Sequence, residues 1–187
     1  MEAAVAPVSL KGTRDGLELI VAAGFLACVH NPVFGMIASA SLAFGLRDLR
    51  KVQAAPFLGR WPLYGEISAW CTCALSAATF LMPGAAIPMD VADWIAWFSA
   101  ASALRLLARA PESASLVRYF SIMRWVLVAP LLVVPLLLVL FSESMKQRAA
   151  PAGLVILVGP PLLLAILALR LRKAGRPYGK RVQEQSA

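Results

Sequence analysis

Charged side chains are scarce in this sequence. Only 15% of its 187 residues are Asp, Glu, Lys or Arg, against about 25% in an ordinary soluble domain. Hydrophobic residues make up 60% of the chain, and the mean hydropathy is +0.74. A water-soluble globule of this size could not bury so many apolar side chains, because the ratio of surface to volume limits burial. The composition therefore argues against a soluble, disordered or collagen-like chain and predicts an integral membrane protein.

Cysteine and histidine are also scarce, and the usual catalytic motifs are missing. The three cysteines, Cys28, Cys71 and Cys73, form no C-x-x-C pair, which argues against a disulfide framework or a zinc site. His30 is the only histidine, which disfavours bis-histidine haem ligation and a Ser-His-Asp triad. The sequence contains no P-loop, G-x-G-x-x-G, G-x-S-x-G or H-E-x-x-H motif. We therefore expect no cofactor, no metal and no catalytic residue.

Apolar runs are what the sequence has in abundance. A membrane-spanning helix needs about 20 mainly apolar residues. Short connections between such runs make sequence neighbours antiparallel and adjacent. The runs that approach the required length are 16–46, 61–82, 87–108, 119–141 and 149–169.

These runs predict an all-α fold, an integral membrane helical bundle with short loops. The bundle would occupy 16–169, after an N-terminal segment at 1–15 that lacks the layout of a signal peptide. A basic cytoplasmic tail would follow at 170–187.

The first run, 16–46, leaves the number of segments at five or six. It is too long for one upright helix and short for two, and Asn31-Pro32 in its middle is a turn signal. One solution is a tilted helix kinked at Pro32. The other is a tight hairpin of two short helices, transmembrane or half-membrane in length.

The positions of Lys and Arg predict the orientation, because cytoplasmic loops carry an excess of both. The formal net charge is +8, and the basic residues cluster beside apolar runs, so we expect no nucleic-acid partner. The C-terminus is predicted to be cytoplasmic in either solution, and the charge distribution favours the hairpin slightly. A bacterial inner membrane is the location we favour. The basic residues assigned to the cytoplasmic side are Arg47, Arg50, Lys51, Arg60, Arg105, Arg109, Arg118, Arg124 and those of the tail.

Four polar residues inside apolar runs are candidate functional groups, since an ionisable residue in a membrane is costly unless paired or hydrated. Glu66 and Arg105 would both lie at cytoplasmic depth, where they either pair with one another or extend to the headgroup level. His30 and Asn31 are expected to hydrogen-bond the backbone opened at Pro32.

Small residues recur at helical spacing and are candidate packing positions. Gly35, Ser39 and Ala43 lie four residues apart, and Gly45 follows on a parallel stripe with Ser41. Membrane helices associate through such residues. We expect these stripes to pack within the bundle rather than against another subunit.

The two ends of the bundle carry opposite charge in this prediction. Asp90 and Asp93, beside Trp94 and Trp97, would form the start of a helix at the non-cytoplasmic interface. The tail would contact anionic lipid headgroups, since each basic residue near such a leaflet contributes about 1 kcal/mol. The candidate headgroup residues are Arg170, Arg172, Lys173, Arg176, Lys180 and Arg181.

The sequence leaves three function classes open. The first is a non-enzymatic membrane protein that works by helix–helix contact with another membrane component, as an accessory subunit, an assembly factor or an immunity-type protein. The second is a small oligomeric transporter or channel that uses Glu66, Arg105 and the helices broken by proline. The third, a lipid-modifying enzyme, has the least support, because no acid–base pair is visible. The partners expected are the lipid bilayer and either a membrane protein or a second copy of the chain.

Overall fold

The structure, a computed structural model, describes residues 10–29, 31–51, 58–79, 81–109, 114–140 and 159–173. For 129–140 the description covers the backbone alone. All regular structure in these ranges is helical, so the all-α prediction is confirmed for them.

Six α-helices and one 3₁₀ turn make up the described regular structure, apart from a single helical residue at Leu58. Gly59, in the turn before α3, has a φ of +62°, a left-handed conformation that glycine adopts readily. The elements are α1 (Leu10–Ala27), α2 (Pro32–Lys51), α3 (Trp61–Thr79), a 3₁₀ turn (Pro83–Ala85), α4 (Ala86–Leu107), α5 (Ala114–Leu140) and a helix over 159–173, named α6 here.

A helix must be both long and apolar to cross a bilayer. Among the described residues, no helix combines the length and the apolar character needed to cross a membrane. The described helices therefore give no support to the transmembrane part of the prediction. Residues 149–158 of the last apolar run lie outside the described residues, and for 129–140 of the run 119–141 the description covers the backbone alone.

The chain reverses direction between α1 and α2, within the first apolar run. Asn31 caps α2, because its Oδ1 accepts a hydrogen bond from the backbone N–H of Val33 at 2.9 Å. Pro32 occupies the first helical position, where its missing N–H costs nothing. The two helices that result pack side by side and antiparallel.

Glycines bring the backbones of α1 and α2 into contact. A Cβ added to Gly16 would lie 2.8 Å from the carbonyl oxygen of Gly45, and one added to Gly45 would lie 2.8 Å from that of Gly16. Gly24 is equally close to α6, since an added Cβ would lie 2.6 Å from the carbonyl oxygen of Pro161. Helix α1 therefore packs with its backbone in close contact with the backbones of α2 and α6.

The remaining helices pack in sequence order, each antiparallel to the one before. Gly65 of α3 fits between α2 and α4, where an added Cβ would meet Leu46 and Ser99. Ser76 near the end of α3 contacts Met89 near the start of α4, with 3.2 Å between Oγ and Sδ. This order brings the start of α3 and the end of α4 to the same end of the bundle.

The interior contains many small and hydroxyl side chains. Leu42, Leu46 and Phe120 are buried there, but much of α4 contributes alanine and serine, including Ser99 and Ser102. The buried or partly buried hydroxyls of four residues donate to the carbonyl oxygen four positions earlier on their own helix. These residues are Ser39, Thr72, Ser102 and Ser121.

Antiparallel packing collects positive charge at one end of the molecule. The starts of α1, α3 and α5 and the ends of α2, α4 and α6 meet there, and all Lys and Arg side chains that the structure describes belong to this end. We call it the basic end. Asp90 and Asp93 lie near the start of α4, at the opposite end, where Trp97 is buried in the core.

Candidate functional site

A cavity of about 270 Å³ lies between α4 and α5 at the basic end. Its lining is made mainly of large side chains, in contrast to the small residues elsewhere in the bundle. The lining residues are Phe98, Arg105, Ser121, Arg124, Trp125 and Val128.

Arg124 is held over aromatic rings. Its guanidinium carbon lies 4.8 Å from the ring centroid of Phe98 and 5.7 Å from that of Trp61. The two rings meet edge to face, with 5.7 Å between centroids. A guanidinium over an aromatic face is attracted by the ring quadrupole. Side chains of α3 and α4 thus fix the direction of an arginine that α5 supplies.

Arg105 and Arg124 both line this cavity, and each has one buried donor without a partner among the described residues. The Nε atoms of both are buried and make no hydrogen bond to any described residue. The described lining contains no carboxylate. Burying a charge away from water costs free energy unless it is paired, so this cavity concentrates positive charge that its own lining does not neutralise.

Glu66 lies at the same end but faces another arginine. Its Oε2 lies 3.3 Å from Nη2 of Arg50, which joins α3 to α2. The Glu66 side chain is 13% exposed and that of Arg50 is 42% exposed, so the carboxylate is the more buried partner. The structure thus gives Glu66 the partner Arg50 and places Arg105 in the cavity with Arg124.

A second polar group joins α1 to α6. The Glu18 carboxylate forms an ion pair with Arg14, one turn earlier on α1, at 3.1 Å. It forms a second ion pair with Arg172 of α6. Of the other tail residues proposed for headgroup contact, Arg170 and Lys173 are exposed on α6. Arg176, Lys180 and Arg181 lie outside the described residues.

The small-residue stripe of α2 has two different environments. Ser39, Ala43 and Gly45 are buried, and Gly45 is pressed against α1. For Gly35, nearer the start of the helix, no side chain and no backbone of another described element lies within 4 Å of an added Cβ. The stripe is therefore occupied by the bundle at one end and open at the other.

The remaining candidate groups are placed as follows. Asn31 caps α2, and His30 lies outside the described residues. The Cys28 thiol donates to the carbonyl oxygen of Gly24 at 3.2 Å, and the described cysteines are all free. Within the described part of the chain, no cluster of three or more His, Cys, Asp or Glu residues could hold a metal ion.

Sequence reasoning did not find the cavity, although it named both arginines. From the sequence, Arg124 was identified only as a charge near the start of an apolar run and as one of the basic residues assigned to the cytoplasmic side. The one available signal was that Arg105 and Arg124 lie on either side of the same short connection, on neighbouring antiparallel helices.

Comparison with known proteins adds no relative. No protein family model, curated protein or solved structure matches the chain at a significant level.

Proposed function

We propose that this chain is a multi-pass integral membrane protein, non-enzymatic, that acts by lateral helix–helix contact with another membrane component. Its C-terminus would be cytoplasmic, in a bacterial inner membrane. The observation that carries the membrane placement is the distribution of side chains between the inside and the outside of the bundle.

Large apolar side chains are exposed on the outer faces of several helices. Phe34 and Ile37 on α2, Ile67 on α3, Ile95 on α4 and Ile122 on α5 are all exposed. Monomeric soluble proteins rarely expose large contiguous apolar patches. A bundle with apolar side chains outside and alanine, glycine and serine inside is typical of helices that pack in lipid.

The charge distribution supports the orientation. The basic end collects the described Lys and Arg, whereas the opposite end of α4 carries Asp90 and Asp93. An excess of basic residues is typical of the cytoplasmic side. Exposed Arg170 and Lys173 at this end would contact anionic headgroups together with the rest of the tail.

The open end of the small-residue stripe supports the contact role. Among the described residues, no neighbouring helix covers Gly35, and the exposed Phe34 flanks it on the same helix. Close approach of a partner helix needs such a small residue. The partner would be another membrane protein or a second copy of this chain.

Two measurements test the placement. The protein should stay in the membrane fraction after alkaline extraction, and a reporter fused after Ala187 should be active only in the cytoplasm. Recovery as a monodisperse species from an aqueous extract without detergent would refute the membrane proposal, and an external reporter would refute the orientation.

Site-directed photocrosslinking tests the contact role. A photoreactive residue at exposed Phe34, which flanks Gly35, should give a discrete adduct with one membrane protein or with a second copy. The same residue at exposed Ile122 on α5 is the matched control and should label lipid only. Identical labelling at the two positions would contradict a contact surface on α2.

A transporter is the second candidate, and the arginine-lined cavity is the observation that favours it. Reconstituted vesicles should then show flux of a small solute, and Arg105→Ala should abolish it without loss of expression. Absence of that effect would leave the contact role as the better proposal.

A further inference from the structure

The cavity between α4 and α5 has the composition of an anion site. We propose that it binds a phosphate-type oxyanion, with Arg105 and Arg124 as its two ligands. This site is independent of the proposed contact role, and it depends on the membrane placement only for the source of the phosphate.

The described lining of the cavity carries positive charge and no carboxylate. Two guanidinium groups line one small space, and both have a buried Nε without a hydrogen-bond partner among the described residues. Like charges at close range repel, and burial removes the water that would screen them. An anion between them would reverse the sign of that interaction.

The neighbouring acids are engaged elsewhere or distant. Glu66 is paired with Arg50. Asp93 precedes Arg105 by twelve positions on α4, which corresponds to about 18 Å at the helical rise of 1.5 Å per residue. No described carboxylate therefore serves as the counter-ion inside the cavity.

Aromatic side chains restrict the orientation of Arg124. Because Phe98 and Trp61 lie close to its guanidinium, the two rings limit the directions in which the group can point toward a ligand. Guanidinium groups bind phosphate through two parallel hydrogen bonds along one edge. The aromatic contacts thus hold the group in place for a two-point contact.

Ser121 helps to decide the kind of ligand. Its Oγ donates to the carbonyl oxygen of Val117 at 2.8 Å, so its only proton is already used. The lining side chains that can still donate are therefore the two arginines and the indole of Trp125, and none of these can accept, which favours a ligand group made of acceptor oxygens.

The size of the cavity limits the ligand to a small group. Its volume of about 270 Å³ is below the range of about 300–1,000 Å³ that is usual for drug-sized ligands. Trp125, which is 75% exposed, borders it on the outside of the bundle. A free phosphate fits these limits, and so does the phosphodiester of an anionic lipid whose chains lie along α5.

Binding to the purified full-length protein in a neutral detergent tests the proposal. Two probes are titrated, inorganic phosphate and a short-chain phosphatidylglycerol, and tryptophan fluorescence is followed because Trp125 lines the cavity. We expect saturable binding of at least one probe. Binding of phosphate identifies a free anion as the ligand, and binding of the lipid alone identifies a headgroup.

Matched arginine variants localise the binding. Arg105→Gln and Arg124→Gln should each weaken it about tenfold or more, as expected for loss of charged hydrogen bonds. Arg109→Gln and Arg118→Gln remove exposed arginines from the same two helices and should change affinity by less than about twofold. Size-exclusion chromatography verifies that each variant is folded.

Three results would overturn the site. These are no binding of either probe, unchanged binding in the variant that lacks both cavity arginines, and equal weakening by the exposed-arginine variants. If the double variant does not fold, arginine modification by phenylglyoxal on the wild-type protein decides. The probe that binds should protect Arg105 and Arg124 but not Arg109, and lack of protection would refute the proposal.

Discussion

The α1–α2 interface and the α4–α5 interface differ in what each helix offers its neighbour. At the first, Gly16 and Gly45 bring two backbones into direct contact. At the second, Arg105 and Arg124 keep the helices apart and a cavity remains. Small residues make an interface that depends on shape, whereas long charged residues make one that depends on charge. Added side-chain volume should therefore destabilise the α1–α2 interface, and an added anion should stabilise the α4–α5 interface.

Added volume at the glycine crossing should give the largest effect. Gly45→Leu would force a Cβ to within 2.8 Å of the carbonyl oxygen of Gly16. Because backbone cannot yield as a flexible side chain does, we expect a loss of about 3 kcal/mol or more in the free energy of unfolding. Denaturant unfolding in detergent measures it.

Gly35→Leu is the control on the same helix. It meets open space and removes a helix glycine, so the free energy of unfolding should change by less than about 1 kcal/mol. Equal destabilisation by the two substitutions would show that the tight crossing is not what distinguishes the positions.

Ligand at the cavity should give the next largest effect. A phosphate probe at about one hundred times its dissociation constant should stabilise the wild-type protein by about 2.7 kcal/mol, because it binds the folded state alone. At the same probe concentration, Arg105→Gln, which weakens binding about tenfold, should lower this stabilisation to about 1.4 kcal/mol or less, as thermal unfolding with and without the probe would show. A variant stabilised as much as the wild type would contradict the two-arginine site.

The ion pair between α2 and α3 should contribute less. Because Arg50 is 42% exposed, its attraction to Glu66 is screened by water, and a double-mutant cycle of Arg50→Gln and Glu66→Gln should give a coupling of about 0.5–1 kcal/mol. A coupling near zero would mean that the two side chains do not interact in solution.

The smallest effect on the free energy of unfolding is expected for the exposed ion pair between Arg14 and Glu18. Arg14 meets Glu18 on the surface of α1, and Arg14→Ala should cost no more than about 0.5 kcal/mol. Glu18→Gln should cost more, because it also ends the contact with Arg172 of α6. The reverse order, measured by chemical unfolding, would show that Glu18 does not join the two helices.

Local chemistry was enough to predict much of the fold. Apolar composition predicts helices in the absence of strand-like alternation, and Asn31-Pro32 combines a good cap with a residue suited to the first helical turn. In contrast, the contact between Gly16 and Gly45 depends on residues far apart in the chain, and no spacing rule relates them.

The candidate site was less accessible from the sequence. Depth along a helix follows from position in the chain, so Arg105 and Arg124 could be placed at the same end. Which face each occupies depends on helix rotation, and that is fixed by packing. The same uncertainty hid Arg50 as the partner of Glu66.

The buried hydroxyls have a consequence for motion. Ser39, Thr72, Ser102 and Ser121 each bond to a carbonyl oxygen of their own helix. None of these four bonds breaks when a helix slides or rotates as a rigid rod against its neighbour. Relative movement of α4 and α5 is therefore limited by steric fit and by the stacked Arg124, and filling or emptying the cavity can widen or narrow that gap without disturbing the polar interior.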